Sequence, residues 1–359
     1  MADGPQDVEL VIIGGGLTGL ALAAAVGGAG LGVLVIEQQP MRRLATPGFD
    51  GRVTAVAQGS RRLLEAIGVW PALAAEAQPI RDIAVGEDRS PIRVHYDHRE
   101  VGVEPLGHIV ENARIRDALL ARIEALPGIE IRAPVGITAL ERDGVSARLE
   151  LSDRGRVRTP LVAAAEGKRS RTREAAGIGC RRWNYHQTAI VCTLAHERPH
   201  HGLAVERFFP DGPFARLPLP GDRSSIVWAL DEVVAREVVG LDDRAFEAEV
   251  AERFGDDLGE LTLTGPRWSY PLDLVWADAY VAPRLVLVGD AARGIHPIAG
   301  QGWNLALRDV AAVAELVVDR VRLGLDPGDA PTLERYARWR RFDSLVLVAV
   351  TDGINRLFA

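Results

Sequence analysis

The sequence predicts an α/β protein in which helices cover a mainly parallel sheet and a second, antiparallel sheet is inserted into the chain. Near the N-terminus, two short apolar runs flank a glycine-rich turn and a small-residue helix, which is the pattern of a βαβ unit. Far down the chain, a further apolar run leads through another glycine-rich loop into a long amphipathic stretch. Between the two lie short alternating runs that are typical of antiparallel strands.

The composition is that of an ordinary globular protein and argues against several function classes. The 359 residues carry a formal net charge of −7, so no general basic field is available and we expect no nucleic-acid partner. Lys168 is the only lysine, which nearly excludes a Schiff-base mechanism or a phosphate loop that needs lysine. The two cysteines, Cys180 and Cys192, match no metal-ligand spacing. We therefore expect no metal site and a reducing, cytoplasmic compartment.

The first glycine-rich turn has the spacing of a dinucleotide-binding motif. Val8–Ile13 predicts a buried parallel strand, and a GxGxxG pattern leads from it into a predicted helix at Leu17–Val26. In this motif the three glycines permit the tight turn, the approach of the backbone to a pyrophosphate, and close packing of the helix on the strand. The free N–H groups of the helix start attract the phosphates. The expected phosphate-binding residues are Gly14, Gly16, Leu17, Thr18 and Gly19.

The second strand of this unit, Val33–Ile36, ends at an acid. The carboxylate of Glu37 can accept hydrogen bonds from a ribose diol, and its charge would repel a 2′-phosphate. A lone GxGxxG is weak evidence, since an unrelated α/β protein can carry a glycine-rich turn. Here the motif follows a strand, opens a helix and has an acid at the end of the next strand, so we predict dinucleotide binding. These residues do not separate FAD from NAD.

The second glycine-rich loop follows the apolar run Leu285–Val288. Gly289 and Asp290 end this predicted strand, where open α/β sheets meet their ligands. A predicted helix at Leu305–Leu323 comes after the loop. An ordinary crossover would explain the glycines, but not an acid at a strand end followed by PxxGQGxN. The candidate residues of this loop are Pro297, Gly300, Gln301, Gly302 and Asn304.

Together, the two motifs resemble the FAD signatures of the class A flavoprotein monooxygenases, the p-hydroxybenzoate hydroxylase-like group. In that family the acid binds the ribityl chain and the loop presents backbone N–H groups to the flavin ring. Within the group, the chain resembles the ubiquinone-biosynthesis hydroxylases over nearly its whole length, most clearly in Asp50–Trp70, Leu106–Leu120 and Thr351–Phe358. The resemblance adds three expected FAD contacts: Arg52, Arg116 and Val135.

The fold implied by the resemblance is a Rossmann-like FAD-binding domain with an inserted antiparallel β-sheet substrate domain. We expect the discontinuous FAD-binding domain at residues 1–75, 105–180 and 269–359. The substrate domain is expected at residues 76–104 and 181–268.

The alternating runs fall in this substrate region. They are Thr188–Leu194, Val205–Phe209 and Ser225–Leu230, and Phe246–Phe254 reads as a helix. Aromatic side chains of the region could line an apolar pocket, although each is more simply read as part of the core. They are Trp183, Phe208, Phe209, Phe214, Trp228, Trp268, Tyr270 and Trp276.

The activity implied by the resemblance is hydroxylation of the aromatic ring of a polyprenylated phenol in ubiquinone biosynthesis. NAD(P)H would reduce FAD, and O₂ would give a C4a-hydroperoxide of the flavin that delivers oxygen to the ring. The cofactor carries this chemistry, so no catalytic side chain is predicted. Because the substrate resides in the bilayer, we expect a cytoplasmic protein peripheral to the inner membrane. A complex with other ubiquinone-pathway proteins is also expected.

Two other functions stay open on the sequence alone. One is another flavoprotein of the same fold, either a hydroxylase of soluble aromatics or a prenyl reductase. The other is a non-catalytic flavin-binding subunit of a biosynthetic complex. Two departures from the family pattern keep the latter open. Glu166 stands where the middle motif usually has Asp, and the chain stops at Ala359 where family members commonly continue, so we expect a truncated or naturally short member.

Arginine is used unusually at two further places. Arg293 follows GDAA, where the resembled family often has His. The arginine-rich run Arg335–Arg341 predicts a solvent-exposed helix face, with contact to an anionic membrane surface as the alternative.

Overall fold

The computed structural model describes residues 5–41, 51–88, 90, 92–295 and 300–358. In this part of the chain, a parallel sheet covered by helices is joined to a larger, mainly antiparallel sheet. The predicted α/β class is therefore confirmed. The predicted loop residue Pro297 lies outside the described residues.

The described part of the chain contains many strands, in places several in a row, as well as helices. In chain order, the strands are β1 (Gln6–Asp7), β2 (Leu10–Ile13), β3 (Val33–Ile36), β4 (Val53–Ala57), β5 (Gln78–Ile80), β6 (Asp82–Glu87), β7 (Arg93–Asp97), β8 (Gly107–Glu111), β9 (Ile129–Arg132), β10 (Ile137–Arg142), β11 (Ala147–Leu151), β12 (Arg156–Thr159), β13 (Val162–Ala164), β14 (Cys180–His196), β15 (Leu203–Phe209), β16 (Gly212–Leu219), β17 (Arg223–Asp231), β18 (Leu261–Leu263), β19 (Trp268–Ala277), β20 (Val281–Ala282), β21 (Leu285–Leu287) and β22 (Arg293–Gly294). The α-helices are α1 (Leu17–Gly28), α2 (Gln58–Ala66), α3 (His98–Val101), α4 (Asn112–Glu124), α5 (Arg171–Ala175), α6 (Glu232–Val239), α7 (Asp243–Phe254), α8 (Gly302–Arg322) and α9 (Ala330–Phe358). Short 3₁₀ turns lie at Trp70–Ala72 and Gly289–Ala291.

The parallel sheet has the strand order β20-β21-β13-β2-β3-β9. Its neighbours pair in parallel, except for β20, which runs antiparallel to β21. Every residue of β2, β3, β13 and β21 is buried, as expected for strands covered on both faces. The helix α1 packs closely on this sheet because it is built from small residues. A Cβ added at Gly27 would lie 2.4 Å from Cγ1 of Ile129.

The larger sheet has the strand order β22-β19-β14-β17-β16-β15-β6-β7, and β18 pairs with the end of β14. Its neighbours run antiparallel except for β15 and β6, which are parallel. The three strands predicted in this region lie within β14, β15 and β17, and the predicted helix lies within α7. One face of the sheet packs on α6 and α7 through a buried cluster that includes Phe214, Trp228 and Phe246.

A small sheet, β4-β8-β5, stands between the two large ones. Strand β5 ends at Ile80 and β6 of the larger sheet begins at Asp82, so the small sheet leads directly into the larger one. Another small sheet has the order β1-β12-β11-β10. The predicted division of the chain into two domains stays a prediction.

Candidate cofactor and substrate site

The carboxyl ends of neighbouring parallel strands meet at one edge of the parallel sheet. Gly14 directly follows β2, Glu37 directly follows β3, and Gly289 comes two residues after the end of β21. A Cβ added at Gly289 would lie 3.1 Å from Cγ2 of Thr18. The two predicted motifs, from opposite ends of the chain, are therefore in contact, at the place where open α/β sheets bind ligands.

The first turn has the geometry that the glycine motif predicts. Gly14 has a φ of +110°, and a Cβ on it would lie 2.6 Å from the carbonyl oxygen of Ala165. A Cβ at Gly19 would lie 1.9 Å from the carbonyl oxygen of Gly14, so helix and turn are in direct backbone contact. Gly16, by contrast, is exposed: among the described residues beyond its chain neighbours, no atom lies within 4 Å of its Cβ position and no side chain caps α1. Uncapped N–H groups beside open space are the donors that a pyrophosphate requires.

The acid after β3 lies against this turn. Oε2 of Glu37 accepts a hydrogen bond from the N–H of Gly15 at 2.7 Å, and Oε1 accepts one from Gln39 at 2.8 Å. The carbonyl of Glu37 also accepts the N–H of Val135 at 2.8 Å, so two of the expected cofactor-binding residues are adjacent. A carboxylate has about four acceptor positions, so Glu37 keeps capacity for ribose hydroxyls.

The two expected arginine contacts lie at different ends of the site. Nη1 of Arg116 donates to the carbonyl of Gly15 at 3.4 Å, which holds this guanidinium beside the glycine turn. Arg52 is exposed, and its guanidinium carbon lies 5.8 Å from the centre of the Tyr270 ring on the larger sheet.

Asp290 stands in the 3₁₀ turn after β21, partly buried. Its carboxylate accepts no hydrogen bond from any side chain or N–H in the described ranges. Burial raises the pKa of this carboxyl, while the charge of Lys168 opposes the rise. A desolvated carboxylate without a protein donor is costly until a ligand supplies hydroxyl groups, which is what a ribityl chain offers.

The substitution Asp290→Ala should weaken FAD binding without lowering the stability of the apoprotein. A hydrogen bond to a charged group contributes about 1.5–3 kcal/mol, so we expect a loss of affinity of roughly 10- to 100-fold. Titration of apoprotein by flavin fluorescence measures the affinity, and a thermal melt measures stability. Asp319→Ala, on the exposed surface of α8, is the control. Equal losses of melting temperature in both variants with unchanged FAD affinity would contradict the assignment.

The loop before α8 offers a second uncapped helix start. Gly300 has a φ of +60°, and its Cβ position lies 3.1 Å from Cβ of Ala55. Gln301 is the N-cap residue of α8 but makes no side-chain cap. Outside its own helix and chain neighbours, Gly302 has no atom of a described residue within 4 Å of its Cβ position. No described side chain caps this helix start, and its first N–H groups fit the role of donors to a flavin ring.

Asn304 has another task. Its amide nitrogen donates to the carbonyls of Ala55 at 2.8 Å and Gly300 at 3.3 Å. Its Oδ1 accepts from the N–H of Ala57 at 3.0 Å and from Oγ of Ser60 at 2.7 Å. The hydrogen-bonding capacity of the amide is thus used within the protein. The side chain clamps the loop to β4 and α2, and any contact of Asn304 with a cofactor must use its backbone.

Glu166, which departs from the usual Asp, also binds locally. Its Oε2 accepts from Oγ of Ser170 at 2.6 Å and from the N–H of Thr172 at 3.2 Å, at the start of α5. The longer side chain therefore holds the loop after β13 in place.

A buried ion cluster supports the site from behind, and the sequence motifs did not reveal it. Asp309 of α8 is fully buried and accepts two hydrogen bonds from Arg293, at 2.7 and 2.8 Å, and one from Nε of Arg340 at 2.7 Å. Its Oδ2 also accepts the N–H of Gly289 at 2.9 Å. The predicted solvent exposure of the run Arg335–Arg341 is wrong for Arg340, because its guanidinium is buried in an ion pair with Asp309.

A cavity of about 760 Å³ lies between the larger sheet and the loop at Gly300 and Gln301. Its walls are mostly aliphatic. Of the eight aromatic side chains expected as possible pocket residues, all of which are described, Phe208 alone lines it. Phe209, Phe214 and Trp228 belong to the buried cluster on the opposite face of the sheet, as the simpler interpretation predicted.

Comparison with known proteins agrees with this geometry. The family described as "FAD binding domain" matches residues 7–324. The ubiquinone hydroxylase UbiL of Rhodospirillum rubrum is 49% identical over 353 residues, which cover 98% of this chain and 82% of the relative. A 3-demethoxyubiquinol 3-hydroxylase of Escherichia coli is 35% identical over 349 residues, 97% of this chain and 89% of the relative. The crystal structure of pqsL, a probable FAD-dependent monooxygenase from Pseudomonas aeruginosa, has the same fold, with a TM-score of 0.85 at 20% identity over 98% of this chain and 97% of that one.

Proposed function

The chain belongs to the FAD binding domain family and groups with its ubiquinone hydroxylases, and on this premise we propose that it hydroxylates the ring of a polyprenylated phenol in ubiquinone biosynthesis. The co-substrates are NAD(P)H and O₂. The observation that carries the proposal is the aliphatic cavity that ends on the loop expected to face the flavin. When bound, FAD supplies the redox chemistry of the reaction.

The protein's own residues would bind the cofactor, orient the substrate and exclude water from the site. The uncapped start of α1 at Gly16 would hold the pyrophosphate, Glu37 the ribose, and Asp290 the ribityl chain. The loop clamped by Asn304 would hold the flavin ring at the end of the cavity. Aliphatic walls then exclude water from the ring and place the phenol beside it, which favours hydroxylation over unproductive loss of the activated oxygen.

A test of this function measures both reducing equivalents and oxygen. We expect purified holoprotein to oxidise NADH or NADPH faster when a prenylated phenol is added, and to place one atom from ¹⁸O₂ in the product. Oxidation of NAD(P)H without O₂ would instead indicate a prenyl reductase. Absence of stimulation by any phenol would indicate an accessory subunit. Mass spectrometry of the quinone precursor that accumulates after deletion of the gene identifies the ring carbon by its missing hydroxyl.

The edge strand β7 at the cavity suggests how a lipid substrate enters. Ile92, Val94 and Tyr96, on and beside the edge strand β7, line the cavity and are also exposed to solvent, Ile92 to 78%. In the described part of the chain, no helix combines the length and apolarity needed to cross a bilayer. The proposal is that this apolar edge rests on the membrane surface, so that the prenyl tail stays in lipid while the ring enters. Assembly with other enzymes of the pathway stays a prediction.

The membrane contact predicts a selective effect of Ile92→Glu. Losing the burial of one large aliphatic side chain costs about 1.5–3 kcal/mol, so binding to phospholipid vesicles should weaken roughly tenfold or more. Co-sedimentation with vesicles measures the binding. Val145→Glu is the matched control, because Val145 is 68% exposed but lies on the turn between β10 and β11. Equal vesicle binding by the two variants would contradict the placement of the membrane.

A further inference from the structure

A carboxylate interrupts the aliphatic wall of the cavity. Residues that pair across the larger sheet form rows on one face, and one row crosses the middle of the cavity. Its members are Val94, Val85, Glu206, Ala215 and Val227. Glu206 is the charged residue of this row, and every other member is aliphatic.

The position of Glu206 along its strand relates it to the flavin loop. Two residues earlier, Ala204 faces the same cavity and packs in a small cluster with Ala55. Ala55 in turn lies against Gly300 of the loop. Two residues of a strand span roughly 7 Å, about the length of a phenol ring with its hydroxyl. A ring placed over Ala204 beside the loop can therefore reach Glu206 with its hydroxyl.

The surroundings of Glu206 favour a proton acceptor rather than a structural ion pair. Within the described part of the chain, no donor forms a hydrogen bond or ion pair with its carboxylate. Its paired neighbours on β6 and β16 are Val85 and Ala215, and Ala204 and Phe208 flank it on its own strand. Two other titratable side chains stand among the described residues that line the cavity, Glu87 and Tyr96.

We propose, on the premise of the hydroxylase function above, that Glu206 is a catalytic residue whose carboxylate accepts the hydrogen bond and then the proton of the substrate's phenol hydroxyl. In this step the phenol O–H bond breaks and an O–H bond forms on Glu206. The electron pair stays on the phenol oxygen, and no electrons are exchanged. The ring carbons ortho and para to that oxygen become richer in electrons, which is what electrophilic hydroxylation requires.

Burial supports this role energetically. It raises the pKa of Glu206 from 4.5 to about 7. The carboxylate is thereby a stronger base, and its pKa is closer to that of a phenol, which is about 10. The shift also costs stability, because the unfolded chain loses this proton at lower pH than the folded one. Stability contributed by the protonated group should therefore decline from about pH 4.5 to about pH 7 and then level off. The variant Glu206→Gln should lack this decline and should fold, because the substitution removes a charge from an aliphatic wall.

The experiment compares wild type and Glu206→Gln as holoproteins, each with a prenylated phenol and with its methyl ether. We expect wild type to bind the phenol about tenfold more tightly than the ether, measured by quenching of flavin fluorescence. The preference should be smaller in the variant, because a neutral amide oxygen accepts a weaker hydrogen bond than a carboxylate does. Hydroxylation of the phenol should fall about 100-fold in the variant, while NAD(P)H oxidation continues without product. The fall of the wild-type rate below pH 7 should disappear. Glu252→Gln, exposed on α7, is the control and should behave as wild type.

The outcomes separate this inference from the function on which it rests. A Glu206→Gln variant with the wild-type pH profile and the wild-type preference for phenol over ether would overturn the role of Glu206 alone. A wild-type protein that prefers the phenol but hydroxylates nothing would overturn the hydroxylase function, and would leave Glu206 as a binding group rather than a base.

Discussion

Asp309→Ala is expected to destabilise the protein by about 3–5 kcal/mol and to reduce its FAD content with it. Removing one partner of a buried ion cluster leaves the others desolvated and uncompensated, which is the costly case. Here the guanidinium of Arg293 would lose its carboxylate partner, and that of Arg340 would keep only its ion pair with Asp343. The N–H of Gly289 would also lose its acceptor, immediately before Asp290. Chemical denaturation of the apoprotein measures the free energy of unfolding, and flavin titration measures the effect on the site.

The same helix provides the control for this prediction. Asp319→Ala removes an exposed carboxylate from α8 and should change the free energy of unfolding by less than about 0.5 kcal/mol. Asp309→Asn keeps the shape but not the charge, so it should fall between the two. If Asp309→Ala lowered stability no more than Asp319→Ala does, the cluster would not be a support of the site.

The βαβ unit and the second strand–loop–helix could be predicted because local sequence determines them. An all-apolar strand, a turn that tolerates only glycine and a helix of small residues each leave a pattern within a few positions. The structure has these elements with small differences at their ends, such as β21 ending at Leu287 instead of Val288. Such shifts are expected, because helix and strand ends are the least determined positions.

The ion cluster could not be predicted in the same way. Asp309 lies four residues from both Leu305 and Val313, so the sequence does place a charge on the apolar face of α8. Its partner Arg340 comes from another helix and stood in a run that is otherwise typical of a solvated surface. A charge on an apolar helix face predicts that an oppositely charged partner is buried with it. Which of several arginines is that partner depends on the tertiary structure.

The roles of two site residues also depend on tertiary contacts that the local sequence does not show. The pattern PxxGQGxN predicts that Asn304 serves the cofactor, and this stays a prediction. The structure shows that the amide bonds the backbone of β4, the hydroxyl of Ser60 and the carbonyl of Gly300. Glu206 stands in the run LAVERFF, where both faces of the strand are covered and alternation is weak. Nothing local distinguishes its cavity face from that of Arg207. Both roles depend on what packs against the strand or helix rather than on the residue type.

Gly16→Ala is expected to abolish tight FAD binding in a protein that still folds. In the part of the chain that the structure describes, no side chain caps the N–H groups at the start of α1 and the space over Gly16 is open. A methyl group there would occupy the path of a pyrophosphate. If two N–H bonds to charged phosphate are lost at about 1.5–3 kcal/mol each, affinity should fall more than 100-fold. Flavin titration of the apoprotein measures this loss, and its melting temperature should stay near wild type.

Gly19→Ala distinguishes the two kinds of glycine in the motif. Its added Cβ would lie 1.9 Å from the carbonyl oxygen of Gly14, so helix and turn must separate and the apoprotein itself should lose about 1–3 kcal/mol of stability. Gly144→Ala is the neutral control, because nothing lies within 4 Å of its Cβ position and it stands in the turn between β10 and β11. Wild-type FAD affinity in Gly16→Ala would mean that the phosphates do not lie over this helix start. Loss of stability in Gly16→Ala as large as in Gly19→Ala would mean that Gly16 serves the fold rather than the ligand.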